Sequence, residues 1–227
     1  IMSGKDDYDS TVLQEGPLQM PTLKPESKKL KIAYISDCVE REGLDPEIKT
    51  RTEAIIAALK EEGHTVEPVS FPFLDVMVPT YYVLTTAEAS SNLARYTGVH
   101  YGFQAADVKG VENTYKKSRS EGFGEEVKRR IMLGTFVLSH GYYDAYYTKG
   151  QKVRRVIQDR TKDIFKEYDM LMSPTTPATA FEIGQISDDP ITMYLQDIFT
   201  VQANLAGNPA ISLPLGKHSN GLPFGIQ

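Results

Sequence analysis

The sequence is poor in cysteine, in long apolar runs and in excess positive charge. Its 227 residues include one cysteine, Cys38, which excludes an internal disulfide framework and fits a reducing compartment. No apolar run reaches the roughly 18 residues that a membrane helix needs, and no secretory leader pattern opens the chain. Lys and Arg total 25 against 30 Asp and Glu, so a broad nucleic-acid-binding face is not expected. We predict a cytoplasmic protein that makes no membrane contact and meets RNA only locally or through a partner.

Short motifs of common catalytic and cofactor sites are also missing. The sequence has no Walker A or Gly-x-Gly-x-x-Gly loop and no Gly-x-Ser-x-Gly elbow. The histidines are scattered, with no His-x-x-x-His or Cys-x-x-Cys pair that would place two metal ligands together. Cys38 follows a predicted strand without a recognisable base, so a small buried thiol is the simpler interpretation. We therefore predict no metal and no cofactor in this chain.

What is present is an ordinary globular composition, with 41% hydrophobic and 24% charged residues. The patterning predicts an α/β fold in which residues 1–29 form a polar, loosely ordered lead-in and residues 30–70 a βαβ-like unit. Residues 80–168 are expected to be helical, and residues 169–227 to return to the sheet through strands and a helix. The apolar ending Leu222–Gln227 lacks a polar tail, which predicts that the sequence stops inside a strand.

The βαβ-like unit has clear signals for where its strands and its helix begin and end. Leu30–Ser36 is a short apolar run typical of a buried strand. Asp45 and Pro46 predict a helix start, as a capping side chain and a first-turn proline. Gly63 predicts the end of that helix, and Thr65–Val69 the next strand, parallel to the first. Further periodic segments predict helices over 80–96, 125–139, 141–168 and 191–206, and strands over 168–172, 209–215 and 224–227.

Three polar positions are candidates for a site, although their local patterns favour structural roles. Glu126 and Arg130 have the spacing of an exposed ion pair on one helix face. Asp197 lies in a largely apolar helical segment, where a carboxylate needs a partner or water. Tyr81, beside Tyr82, has the pattern of a core aromatic with a satisfied hydroxyl.

Several segments together resemble one family. Residues 133–147, 173–177 and 204–210 are similar to the carboxyl-side half of the amidase-signature hydrolases. Residues 3–10 and 81–95 are similar to the glutaminase branch of that family, which serves the glutamyl-tRNA(Gln) amidotransferases. The resemblance implies a truncated amidase-signature fold, with a mixed sheet flanked by helices.

The resemblance also implies that glutamine hydrolysis and the amidation of tRNA-bound glutamate are carried out by different subunits. Members of this branch hydrolyse glutamine with a Ser–cis-Ser–Lys triad, in which the lysine is the base and the last serine the nucleophile. The released ammonia then serves a partner protein, which uses ATP and Mg to convert Glu-tRNA(Gln) into Gln-tRNA(Gln). The Gly/Ser-rich segment of the triad is missing here, since Ser90 and Ser91 have no flanking glycines. No catalytic residue is expected in this chain, which should be inactive alone.

The substrate pocket is the part that the resemblance carries over. It implies that Arg130 pairs with the α-carboxylate of glutamine, that Asp197 pairs with its α-amino group and that Tyr81 lines the same pocket; the sequence leaves open whether Tyr81 or the adjacent Tyr82 faces the pocket. A free amino acid is a zwitterion, so a fixed cation and a fixed anion suit it. The expected partners are glutamine, the B and C subunits of the amidotransferase and, through that complex, tRNA. Two alternatives stay open: part of another amide hydrolase of this family, and a non-catalytic interaction module.

Overall fold

The structure, a computed structural model, describes residues 4–12, 28–185 and 195–227. Within these ranges the strands are β1 (Lys31–Ile35), β2 (Thr65–Val69), β3 (Met170–Met172), β4 (Leu213–Lys217) and β5 (Pro223–Ile226). The helices are α1 (Ser36–Val39), α2 (Pro46–Glu61), α3 (Leu74–Asn92), α4 (Val111–Gly122), α5 (Glu125–Val137), α6 (Lys149–Glu167) and α7 (Val201–Ala206). Short 3-10 turns cover Leu93–Arg95 and Leu195–Asp197, and a π-helical turn covers Asp144–Thr148.

The central feature is a parallel sheet with the strand order β2–β1–β3. Ile32 of β1 aligns with Val66 of β2 on one side and with Met170 of β3 on the other. β4 and β5 form an antiparallel hairpin that joins the end of β3 through mutual backbone hydrogen bonds of 2.8 and 3.0 Å between Ser173 and Gln227. Strands of both directions with helices around them confirm the predicted α/β class and mixed sheet.

Helix α2 starts where the sequence predicts, for the predicted reason. The Asp45 carboxylate accepts hydrogen bonds from the backbone N–H groups of Glu47 (2.8 Å) and Ile48 (3.2 Å), and Pro46 is the first helical residue. These bonds satisfy donors that the first turn leaves without an intrahelical partner. Gly63 follows the helix with a φ of 88°, a left-handed conformation that favours glycine.

Several predicted boundaries are wrong. α3 begins at Leu74, not at residue 80, and Pro79 lies inside it, where the missing N–H leaves the Asp75 carbonyl without its intrahelical donor. α4 is absent from the sequence prediction, because Ser118 is its one buried residue and the helix has no apolar stripe to give a periodic signal. The predicted strand over 209–215 is displaced to β4. Of the predicted helix 191–206, residues 191–194 lie outside the described residues, as does most of the lead-in, and the rest divides into a 3-10 turn and α7.

The core lies between the parallel sheet and the helices. Ala33 and Ile35 of β1 are buried together with Ile48 of α2, Met77 of α3 and Ile157 of α6. A buried polar contact joins α7 to α6, where Gln202 Nε2 donates to Thr161 Oγ1 at 2.7 Å. Such a contact satisfies groups that would be costly to bury unpaired. These contacts hold α6 and α7 against the sheet.

Helices α3 and α5 approach each other unusually closely at Gly134. A β-carbon added at Gly134 would lie 1.9 Å from the backbone carbonyl oxygen of Thr86 on α3. The absence of a side chain therefore lets the two helices meet at this point. Arg130 lies one helical turn before Gly134, so it lies on the face of α5 that meets α3.

Candidate functional site

A cavity of about 400 Å³ opens between α3 and α5, within the range typical of small-molecule sites. Most of its wall is apolar, with charged groups grouped along one part of it. α3, α5, the segment after α1 and the turn before α7 supply the lining residues: Arg41, Leu74, Asp75, Val78, Pro79, Tyr82, Thr86, Glu126, Arg129, Arg130, Leu133, Leu195 and Ile198.

Arg130 is held in this cavity by two neighbours. Its side chain is 30% exposed, and its Nε donates a hydrogen bond of 2.9 Å to Glu126 Oε1. Its guanidinium carbon lies 5.2 Å from the centroid of the Tyr82 ring, within the range of a cation–π contact. The ion pair that the sequence spacing predicts is therefore present, but in a cavity wall and not on an open helix face.

The surroundings of Arg130 keep its positive charge. Partial burial acts to lower the pKa of the guanidinium, but hydrogen bonds and charge interactions with Glu126 and Tyr82 outweigh it and raise the pKa above its ordinary value. A guanidinium is protonated at any physiological pH, so the cavity contains a permanent cation.

The charged groups in the cavity wall do not balance. Three guanidiniums, those of Arg41, Arg129 and Arg130, face two carboxylates, those of Asp75 and Glu126. Arg41 Nη1 pairs with Asp75 Oδ1 at 3.1 Å, and the two oxygens of Glu126 bind Arg130 Nε and Arg129 Nη1. Among the lining residues that the structure describes, one positive charge is left over. Water screens the exposed Arg129 and Asp75 charges, so an anionic ligand group is attracted most strongly at Arg130, whose side chain is 30% exposed.

Asp197 lies at the border of this cavity and is exposed. Its neighbours Leu195 and Ile198 line the cavity, whereas Asp197 does not. The backbone carbonyl of Asp197 accepts a hydrogen bond of 3.1 Å from the Thr200 N–H, which closes the turn that carries it. The structure thus brings the Asp197 turn to the Arg130 cavity, and the amine-binding role of the Asp197 side chain stays a prediction.

The two adjacent tyrosines face different surroundings. Both rings pack against the main hydrophobic core, but Tyr82 also lines the cavity and contacts Arg130, whereas Tyr81 is not among the lining residues. The two rings meet edge to face, with centroids 5.2 Å apart. Successive helical residues point about 100° apart, so both cannot share one orientation. The substrate role of Tyr81 stays a prediction. Of the two tyrosines, Tyr82 is the one that lines the cavity in this structure.

Other candidate groups lack the surroundings that catalysis requires. Cys38 is buried, and burial together with the nearby Asp37 charge raises the pKa of its thiol far above the ordinary value, which suppresses the reactive thiolate. Ser90 Oγ donates to the Ala87 carbonyl at 2.9 Å, a local helix contact. Within residues 4–12, 28–185 and 195–227, no cluster of His, Cys, Asp or Glu has the arrangement of a metal site, and no helix is long and apolar enough to cross a membrane.

Sequence reasoning missed several groups that shape the cavity. Arg129 and the Arg41–Asp75 pair take part in its wall without having been expected there, and Tyr82, which the sequence left as an alternative to Tyr81, lines it as well. The spacing of Arg129, three residues after Glu126, is visible in the sequence as a helix-surface pair. No sequence signal joins Arg41 to Asp75, because their contact depends on how the segment after α1 meets the start of α3.

The fold and this cavity define a class, that of α/β proteins with a cavity between helices beside a parallel sheet. Residues 1–227 match the family model described as Amidase, and the chain belongs to this family.

Individual relatives are more specific. The chain is 49% identical over 227 residues to the A subunit of the glutamyl-tRNA(Gln) amidotransferase from Brevibacillus brevis, and 47% identical over 228 residues to the protein of the same name from Macrococcus caseolyticus. It is also similar to the crystal structure of the corresponding protein from Thermotoga maritima, with a TM-score of 0.66 and 39% identity over 98% of this chain.

The match covers all of this chain and only part of each relative. The 227 residues span 46% of the Brevibacillus brevis protein, 47% of the Macrococcus caseolyticus protein and 43% of the Thermotoga maritima chain. The chain therefore spans about half the length of the curated relatives that it matches.

Proposed function

We propose that this chain is the substrate-binding part of a glutaminase that supplies ammonia for converting Glu-tRNA(Gln) into Gln-tRNA(Gln). The names of these relatives support the amidotransferase, and the cavity beside Arg130 supports the glutamine-binding role. In this proposal the chain works in the cytoplasm with the B and C subunits of the amidotransferase, and tRNA reaches it through the complex. ATP and Mg belong to the partner protein that activates the tRNA-bound glutamate.

The observation that carries the proposal is the unbalanced guanidinium charge in the cavity. Glutamine presents one carboxylate, and a planar guanidinium binds a carboxylate through two parallel hydrogen bonds. Arg130 uses Nε for Glu126 and also has the Tyr82 side chain as a hydrogen-bond partner, so we propose that the remaining Nη donors receive the ligand. The exposed Asp197 on the adjoining turn is the proposed partner of the ligand's ammonium group.

The residues of this chain bind and orient the substrate in this proposal, and they do not break its amide bond. Bond cleavage needs a nucleophile activated by a base, together with donors for the developing oxyanion. The relatives are about twice as long as this chain, and the proposed source of these groups is sequence beyond the matched half. We therefore expect residues 1–227 alone to release no ammonia from glutamine. Turnover above a buffer blank that Arg130→Ala abolishes would contradict this expectation.

The proposed roles of Arg130 and Asp197 can be tested with glutamine analogues that lack either the α-carboxylate or the α-amino group. The assay uses the assembled amidotransferase with a full-length glutaminase chain that contains these residues. Arg130→Ala should lower kcat/KM for glutamine. The loss should correspond to about 2–5 kcal/mol of transition-state binding free energy, the cost of removing one partner of a charged contact. The same change should have little effect on 4-aminobutanamide, which is glutamine without its α-carboxylate. Asp197→Ala should show the opposite pattern. It should lower kcat/KM for glutamine and leave kcat/KM for glutaramate, which lacks the α-amino group, nearly unchanged.

A matched control is Arg155→Ala, which removes an exposed arginine that pairs with Asp159 on α6, away from the cavity. It should leave the use of all three substrates unchanged. A loss smaller than about tenfold with Arg130→Ala would count against the carboxylate role. Equal losses on glutamine and on a neutral amide would instead favour an amide hydrolase whose substrate is not an amino acid.

A further inference from the structure

We infer that Glu126 is a positioning residue that fixes the orientation of the Arg130 guanidinium for the ligand carboxylate. The inference rests on the proposed function, because it concerns the group that would bind the α-carboxylate of glutamine. Glu126 is itself part of the cavity wall, in the first turn of α5. Its role is to act through Arg130 and not on the substrate.

The geometry of the Glu126 carboxylate carries the inference. Oε1 accepts from Arg130 Nε at 2.9 Å, and Oε2 accepts from Arg129 Nη1. Both oxygens are thus engaged by donors of the same helix, which holds the carboxylate in one rotamer. In the part of the chain that the structure describes, Glu126 is the carboxylate within ion-pair distance of Arg130.

Binding through Nε decides which end of the guanidinium faces the cavity. A guanidinium offers two forks, one formed by Nε with an Nη and one formed by the two Nη groups. A carboxylate on Nε occupies the first fork and turns the second away from Glu126. The Tyr82 ring, 5.2 Å from the guanidinium carbon, restricts the remaining rotation of the plane. A preoriented fork loses less side-chain entropy when the ligand binds.

An opposite effect of the same contact is also physically reasonable. A carboxylate beside Arg130 could compete with the ligand carboxylate for the guanidinium charge. Competition requires that removing Glu126 tightens glutamine binding, whereas positioning requires that it weakens binding. The sign of the change in KM therefore separates the two effects.

The test compares Glu126→Ala with Glu126→Gln and with Glu125→Ala in the assembled amidotransferase with a full-length glutaminase chain. We expect Glu126→Ala to raise KM for glutamine about tenfold with kcat nearly unchanged, since a charge-assisted hydrogen bond that orients the binding group is lost. Glu126→Gln keeps an oxygen that can accept from Nε and should recover most of the affinity. Glu125 lies in the same helix turn and pairs with Lys128 at 2.8 Å outside the cavity wall, so Glu125→Ala should leave KM unchanged.

A second substrate separates positioning from a general structural role. The Glu126→Ala enzyme should use 4-aminobutanamide as well as the unchanged enzyme does, because that substrate has no carboxylate for Arg130 to bind. Equal losses on both substrates, a fall in KM or a loss confined to kcat would each overturn the inference.

Arg130→Ala identifies which proposal has failed. If Arg130→Ala discriminates between glutamine and 4-aminobutanamide but Glu126→Ala does not, the positioning role is wrong and the proposed function stands. If Arg130→Ala itself shows no discrimination, the glutamine-binding role fails and the role of Glu126 fails with it. In the double variant, Glu126→Ala should add little to Arg130→Ala, because a positioning residue has no effect once the positioned group is gone.

Discussion

Tyr82 presents its ring to Arg130, with 5.2 Å between the ring centroid and the guanidinium carbon. The contact joins α3 to α5 across the cavity and covers one side of the guanidinium. A ring in this position attracts the cation and shields part of it from water. The relationship makes Tyr82 part of the cavity wall, although the family resemblance points to Tyr81.

Substitutions at the two tyrosines should therefore differ. Tyr82→Leu should raise KM for glutamine by about fivefold, corresponding to the roughly 1 kcal/mol of a partly desolvated cation–π contact. Tyr82→Phe keeps the ring but loses the hydroxyl that interacts with Arg130, so it should retain the ring contribution and lose the hydrogen bond. Steady-state glutaminase kinetics of both variants provide the measurement.

Tyr81→Phe tests the role that the resemblance assigns to Tyr81. A rise in KM for glutamine with Tyr81→Phe, and none with Tyr82→Leu, would show that the family's pocket residue is Tyr81 and that the Tyr82 contact is structural.

Gly134→Ala should destabilise the packing of α5 on α3. The new methyl group would lie 1.9 Å from the Thr86 carbonyl oxygen, and a backbone atom cannot rotate away as a side chain can. Separating the helices should cost about 1–3 kcal/mol and lower the midpoint of thermal unfolding by several degrees. The same displacement moves Arg130 away from Tyr82, so KM for glutamine should also rise.

Gly124→Ala is the matched control for Gly134→Ala. Gly124 precedes the same helix, has an ordinary φ of −65° and has no atom within 4 Å of an added β-carbon. Gly124 is the N-cap of α5, where alanine is a poorer cap than glycine, so its substitution should cost about 0.5 kcal/mol and involve no steric clash. Equal unfolding midpoints for the two alanine variants would show that the α3–α5 contact adapts without cost.

Asp45→Ala should destabilise the start of α2. The Asp45 carboxylate accepts two backbone N–H groups of the first turn, and removing such a cap costs about 1 kcal/mol. We expect the thermal midpoint to fall by about 2–4 °C. Asp45→Asn keeps an oxygen acceptor and should lose much less; similar losses with alanine and asparagine would mean that the charge of Asp45, which lies 3.3 Å from His218 Nε2, matters more than its capping bonds.

The sequence predicted the elements whose signals are local. A capping aspartate followed by proline begins α2, and β1 and β2 stand out as short apolar runs, because these signals depend on neighbours in the chain. α4 escaped prediction because it buries almost nothing, and the start of α3 was placed too late because a proline usually marks a helix start or break, whereas Pro79 lies inside α3. β4 was misplaced, since its pairing with β5 sets its limits and its own composition does not.

The sequence by itself determined the family, the α/β class and the Glu126–Arg130 pair, because motif order, apolar periodicity and helix spacing are written along the chain. Only the tertiary structure decided that this pair faces a cavity, that Tyr82 and not Tyr81 covers the guanidinium, and that the Asp197 turn adjoins it. Those facts depend on the angle and separation at which α3 meets α5. That separation is set by one missing β-carbon at Gly134, whose consequence appears only when the Thr86 carbonyl is placed opposite it.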